Sequence, residues 1–221
     1  MKSMILKKAL ACVILSSLLL FSLNGCGARN IKDPDKTMDA FYQMMIYQDC
    51  NAMTDLGIDA KESKATVEEY QSAMISTFQK EFSAAGVAIT KDQANDILDA
   101  IKDKFSQLDY KISILKEGKK EATVRVSSHY IDYLKIFKEA KIETINQLKP
   151  QHIEKLSDAK KQLVSNIITG FHNAEISSNM HSKIFHLKLQ KIKTGKETVK
   201  VFFPTDYEKT GSDLIRLVTK Q

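Results

Sequence analysis

Cysteine is scarce in this chain: three occur in 221 residues, at positions 12, 26 and 50. If the first two belong to a leader and a lipid site, Cys50 is left alone and the folded part can hold no internal disulfide. Glycine is scarce as well, with eight in the chain, and Gly25 and Gly27 flank Cys26. No GxGxxG, P-loop or GxSxG motif occurs, so phosphate-cradling loops and nucleophile elbows are not expected. Arginine is rarer still, with Arg29, Arg125 and Arg216 standing against thirty lysines. Arginine is the usual reader of bases and phosphates, so the shortage argues against nucleic acid as a partner. The five histidines (His129, His152, His172, His181 and His186) form no HExxH or HxH, and no CxxC is present. No metal or cofactor is therefore expected, since zinc needs three or four ligands in suitable geometry.

The N-terminus does carry a signal. Lys2, Lys7 and Lys8 precede Ala9–Leu23, a run of 15 residues without charge. That is the n-region and h-region order of an export signal, and it is short beside the roughly 20 apolar residues of a spanning helix. Leu23-Asn24-Gly25-Cys26 follows. It resembles the lipobox of bacterial lipoproteins, with Asn24 departing from the usual small residue. The resemblance implies a diacylglyceryl group on Cys26, cleavage after Gly25, and an acyl chain on the new amino group. Two chains hold a bilayer well where one holds marginally. The expected result is a lipid-anchored protein on the extracytoplasmic face of the cell membrane. Loss of three lysines with the leader lowers the formal charge from +6 to +3.

The expected organisation is a signal peptide over 1–25, a short tether over 26–32 and one domain over 33–221. Asp33-Pro34 reads as a helix start, with Met38, Phe41, Tyr42, Met45 and Ile46 repeating to about Gln48. Gly57 closes a loop, and a second helix is predicted from about Lys64 to Ala84. Thr90 with Gln93 forms a capping box for a third. The period then becomes two: Tyr110, Ile112 and Ile114 alternate, Glu117-Gly118-Lys119 turns, and Ala122, Val124 and Val126 alternate back as a hairpin. Helical spacing returns over Tyr133–Leu148, and Pro150 is expected to start another helix. Phe185, Leu187 and Leu189 alternate, and Val199, Val201 and Phe203 answer them after Thr194-Gly195. A last short helix is expected over Ser212–Thr219. Strands joined as hairpins favour an antiparallel sheet packed against helices, an α+β fold.

Together these features resemble the small uncharacterised lipoproteins of low-GC Gram-positive bacteria with NTF2-like or cystatin-like domains. That resemblance implies a helix on a curved antiparallel sheet, often with a cone-shaped pocket, and no fixed chemistry. Ser128, Tyr130 and Tyr133, where the first hairpin passes into helix, are the residues expected to line such a pocket. Cys50 is read as a small apolar residue rather than a nucleophile. Lys188, Lys191, Lys193, Lys196 and Lys200 crowd the last hairpin and either discourage edge pairing or meet anionic wall polymers. No catalytic motif is found, so a non-enzymatic binding or interaction domain is the leading expectation. An extracytoplasmic enzyme with its site in the sheet pocket is the alternative. The expected partners are the bilayer, through the acyl chains, and an anionic wall polymer or another envelope protein.

Overall fold

The computed structural model describes residues 28–30, 33–149, 156–194 and 197–220. The expected leader, Cys26 and the expected helix start at Pro150 lie outside them. Helix α1 (Pro34–Tyr42) has Pro34 in its first turn. Asp33 holds the extended N-cap conformation, but its carboxylate pairs with Lys36 instead of capping a backbone N–H. The helical run reaches Tyr47, with its last stretch, Gln43–Tyr47, wound as a π-turn. Gln48 ends it in the left-handed region at φ 57°. The expected loop holds a short helix, α2 (Asn51–Asp55).

Helix α3 (Ala60–Ala84) starts four residues earlier than the apolar stripe indicates. The reason is Asp59, whose carboxylate accepts from the N–H of Lys61 at 2.8 Å and of Glu62 at 3.2 Å. Helix α4 (Lys91–Phe105) opens on the expected capping box, with Thr90 and Gln93 bonded reciprocally. The first hairpin is β2 (Tyr110–Glu117) and β3 (Glu121–Ser128). Helices α5 (Tyr133–Leu148) and α6 (Leu156–His172) follow as a packed pair. The second hairpin is β4 (His181–Thr194) and β5 (Glu197–Pro204). Helix α7 (Tyr207–Thr219) starts five residues before the expected Ser212, because Asp206 caps the N–H of Lys209 at 2.9 Å.

The two hairpins form one antiparallel sheet, as expected of an α+β fold. Strand β4 is long because it serves both: residues 181–188 pair with β3 and 187–194 with β5. A further short strand, β1 (Ala28–Asn30), lies parallel to β5. The sheet order is thus β1-β5-β4-β3-β2. Residues 28–30, within the expected short tether, thus pair with the edge of β5.

Helix α1 packs against β2, β3 and β5, while α7 packs against β4 and β3. Ala122, Val124, Val126, Phe185 and Leu187 enter the core from the sheet. They meet Met38, Phe41, Ile97, Leu214 and Val218 from the helices. Each such aliphatic or aromatic side chain contributes about 1.5–3 kcal/mol on burial. The opposite face of β2, β3 and the first half of β4 bears Lys111, Arg125, Ile184 and His186 and is open to solvent.

Candidate functional site

The densest polar arrangement lies where α1 and the π-turn meet the first hairpin. An α-helix would turn residues five apart well away from each other, whereas the wider π-turn stacks them. Tyr42 and Tyr47 therefore meet edge to face, with ring centroids 5.5 Å apart. Tyr110, first in β2, lies flat on Tyr42 at 3.9 Å and edge-on to Tyr47 at 5.8 Å. Such ring pairs add about 0.5–1.5 kcal/mol beyond their buried area.

Every phenol in this cluster has an internal partner. Tyr42 is fully buried, and its Oη lies 2.6 Å from Ser128 Oγ. The Ser128 hydroxyl donates to the carbonyl of His129 at 2.7 Å, so Tyr42 is the donor to Ser128. Tyr110 donates to Asp39, and Tyr47 donates to the carbonyl of Leu108. Gln43 Nε2 donates to the other oxygen of Asp39 at 2.7 Å, the i, i+4 spacing of a helix. Burial raises the pKa of all three phenols. Tyr47 is pushed up to about 12 by burial, then by the charges of Asp109 and Asp39. For Tyr42 burial outweighs the hydrogen bond to Ser128, which acts the other way. For Tyr110 burial is reinforced by its donation to Asp39. At neutral pH these groups are donors, and none is poised to take a proton.

The three residues expected to share a pocket have three different surroundings. Ser128 belongs to the tyrosine cluster. Tyr130 stacks on His181 at 3.9 Å at the end of the sheet, and the neighbouring His129 Nδ1 contacts the Ser177 carbonyl at 2.6 Å. Tyr133 points into the helical core, where only 2% of it is exposed. There, with Tyr70, Met74 and Phe105, it borders a cavity of about 10 Å³, room for the centre of one water. The separation follows from local geometry: Ser128 ends a strand facing inward, Tyr130 lies past it, and Tyr133 starts a helix.

Cys50 stands half-buried before α2, its thiol pushed up by burial and by Asp49. That setting disfavours the thiolate a nucleophile needs. Among the described residues no group of three His, Cys, Asp or Glu side chains could hold a metal. His152 lies outside them. Of the lysines on the last hairpin, Lys188 pairs with Glu121 across the strands at 3.9 Å. Lys196 and the side chain of Lys193 lie outside the described residues. One buried acid stands out: Asp213 of α7, bonded to Lys209 at 2.9 Å and Lys183 at 3.2 Å. Burial pushes its carboxyl up, but the two lysines outweigh that and hold it below the ordinary carboxylate value.

Sequence reading did not single out Asp39, Tyr42, Gln43, Tyr47 or Tyr110 as site residues. Asp39 and Gln43 do carry a local sign, a polar pair four apart beside an apolar stripe. The tyrosines carry none, because the strand that completes the cluster starts more than sixty residues later.

No family model and no curated protein sequence matches the chain. Among solved structures it is similar to a candidate lipoprotein (ycdA) from Bacillus subtilis subsp. subtilis str. 168, with a TM-score of 0.62 and 15% identity. The likeness covers 85% of this chain and 56% of that one, so the chain spans little more than half of that protein's length. At that identity the two share a fold.

Proposed function

We propose that the chain is a lipoprotein, anchored through Cys26 on the extracytoplasmic face of the membrane, whose folded body is a non-enzymatic binding or interaction domain. The observation that carries the reading is Leu23-Asn24-Gly25-Cys26 at the end of an uncharged 15-residue run. The shared fold with a candidate lipoprotein supports it, and we include in the proposal kinship to the NTF2-like or cystatin-like lipoproteins that the element order resembles. No helix among the described residues is long and apolar enough to cross a membrane. The binding role is favoured over catalysis by the site's chemistry. Its phenols donate inward with raised pKa values, and the Cys50 thiol is disfavoured as a thiolate.

The test is mass spectrometry of the membrane-extracted protein together with the Cys26→Ser variant. The native protein should give an acylated N-terminal peptide beginning at Cys26, and the variant should wash from membranes. Retention of the variant on washed membranes, or an unmodified Cys26, overturns the anchor. Turnover of a wall substrate that is lost on substituting one polar side chain overturns the binding role.

A further inference from the structure

The open face of the sheet carries a regular charge pattern. Strand register sets its rows. Lys111 lies opposite Ser127, and Ser127 opposite Ser182. In the next row Arg125 lies between Ser113 and Ile184. Then Thr123 lies between Lys116 and His186, after a bulge at Leu115, and last comes Glu121 with Lys188. Three successive rows thus present one cation each, Lys111, Arg125 and Lys116, while in the fourth Lys188 faces Glu121. All four are exposed. Same-face rows are about 7 Å apart along a strand. Glu121 is the one acid in these rows, and it is already paired with Lys188 at 3.9 Å. Ser127 and Ser182 bond each other at 2.7 Å, and with Ser113 and Thr123 they set hydroxyls among the charges, around the exposed Ile184.

We infer that this face binds a linear phosphodiester polyanion, laid along the strands so that successive phosphates meet successive rows. Lys111, Arg125 and Lys116 alternate between neighbouring strands, so successive ones sit roughly 8 Å apart, about one Debye length at physiological ionic strength, and their fields overlap. A chain of regularly spaced negative charges relieves that mutual repulsion at every step. Arg125 is central to the ladder and has no ion-pair partner among the described residues. Its fork of donors suits a phosphate group. The choice of a polymer over lipid headgroups rests on the proposed anchor: Cys26 lies two residues before β1, whereas Lys111, Lys116 and Arg125 lie on β2 and β3, the two strands farthest from β1. Four inter-strand steps put β2 roughly 19 Å from β1.

The experiment uses the full chain in detergent, titrated with synthetic poly(glycerol phosphate) and, separately, with phosphatidylglycerol vesicles. The native protein should bind the polymer with an affinity that falls steeply as salt rises. The triple variant Lys111→Gln/Lys116→Gln/Arg125→Gln should weaken it about tenfold, the scale of several exposed charge contacts, with an unchanged circular dichroism spectrum. A control triple on helices, Lys61→Gln/Lys138→Gln/Lys141→Gln, removes the same charge and should bind within twofold of native. Equal loss in both triples reduces the effect to net charge and overturns the proposal. So does native-like polymer binding by the first triple, or binding confined to the vesicles. Because the Cys26 tests read acylation and not polymer affinity, failure here is separable from failure of the lipoprotein reading.

Discussion

Tyr42 and Ser128 lie 86 residues apart in the chain and 2.6 Å apart in the fold. Their bond ties the end of α1 to the last residue of β3, beneath the ring of Tyr110. The two ends of this bond are not equivalent, because Ser128 has the His129 carbonyl as a second partner and Tyr42 has Ser128 alone.

Removing the serine hydroxyl should therefore cost more than removing the phenol. Ser128→Ala leaves a buried phenol without an acceptor and should destabilise by about 1–3 kcal/mol, while Tyr42→Phe should cost about 1 kcal/mol. Urea unfolding of the two variants checks the order. Equal or negligible losses would show that the hydroxyls do not hold the hairpin to the helix.

The tyrosines should resist alkali. Burial raises the pKa of Tyr42, Tyr47, Tyr70, Tyr110, Tyr133 and Tyr207. The stability this represents is complete below the unfolded value near 10. It is lost as pH rises through the folded values, about 12 for Tyr47, because the native state then holds protons that the unfolded state has released. Ultraviolet titration of phenolate should show most tyrosines silent at pH 11 until the chain unfolds. Full ionisation of a still-folded protein at that pH would contradict the burial.

Asp213 should make the protein acid-sensitive. Its carboxyl is held below the ordinary 3.8, so its contribution is present above that value and disappears as pH falls through the lower folded one. Asp213→Asn should lose about 1–3 kcal/mol at pH 7, and the deficit should shrink towards pH 2. A deficit that does not depend on pH would point to packing rather than charge.

At the crossing of α5 and α6, Gly170 leaves space for Ile136. A Cβ on residue 170 would sit 2.9 Å from Ile136 Cγ2. Alanine normally favours a helix interior over glycine by about 1 kcal/mol, yet Gly170→Ala should lower the melting temperature here. Adding Ile136→Val, which keeps Cγ2, should not rescue it fully, whereas Ile136→Ala should recover most of the clash energy in a double-mutant cycle. A stabilising Gly170→Ala would mean that the helices slide apart freely.

The elements that local chemistry controls were legible in the sequence. Thr90 and Gln93 mark their helix start by themselves, and the alternation on either side of Gly118 marks the first hairpin, though not the bulge at Leu115 that shifts its register. Helix starts at Asp59 and Asp206 were readable in principle, but the apolar stripes begin later and drew the boundaries inward. The π-turn was not legible, since Met44, Met45 and Ile46 suit an α-helix equally well. Nor was the tyrosine cluster, which depends on that turn bringing Tyr47 under Tyr42 and on β2 delivering Tyr110 from a distance. Ser128 faces inward at the end of its strand and bonds Tyr42, a partner 86 residues away that no local pattern points to.

Strand β4 gives its first half to one neighbour and its second half to another, with only Leu187 and Lys188 common to both. The sheet is consequently two ribbons spliced over a two-residue overlap. Neither ribbon can open completely while that splice holds. The amides of these residues and the strand flanking them should be the slowest in the molecule to exchange with deuterium, and the rims of both hairpins should exchange long before them.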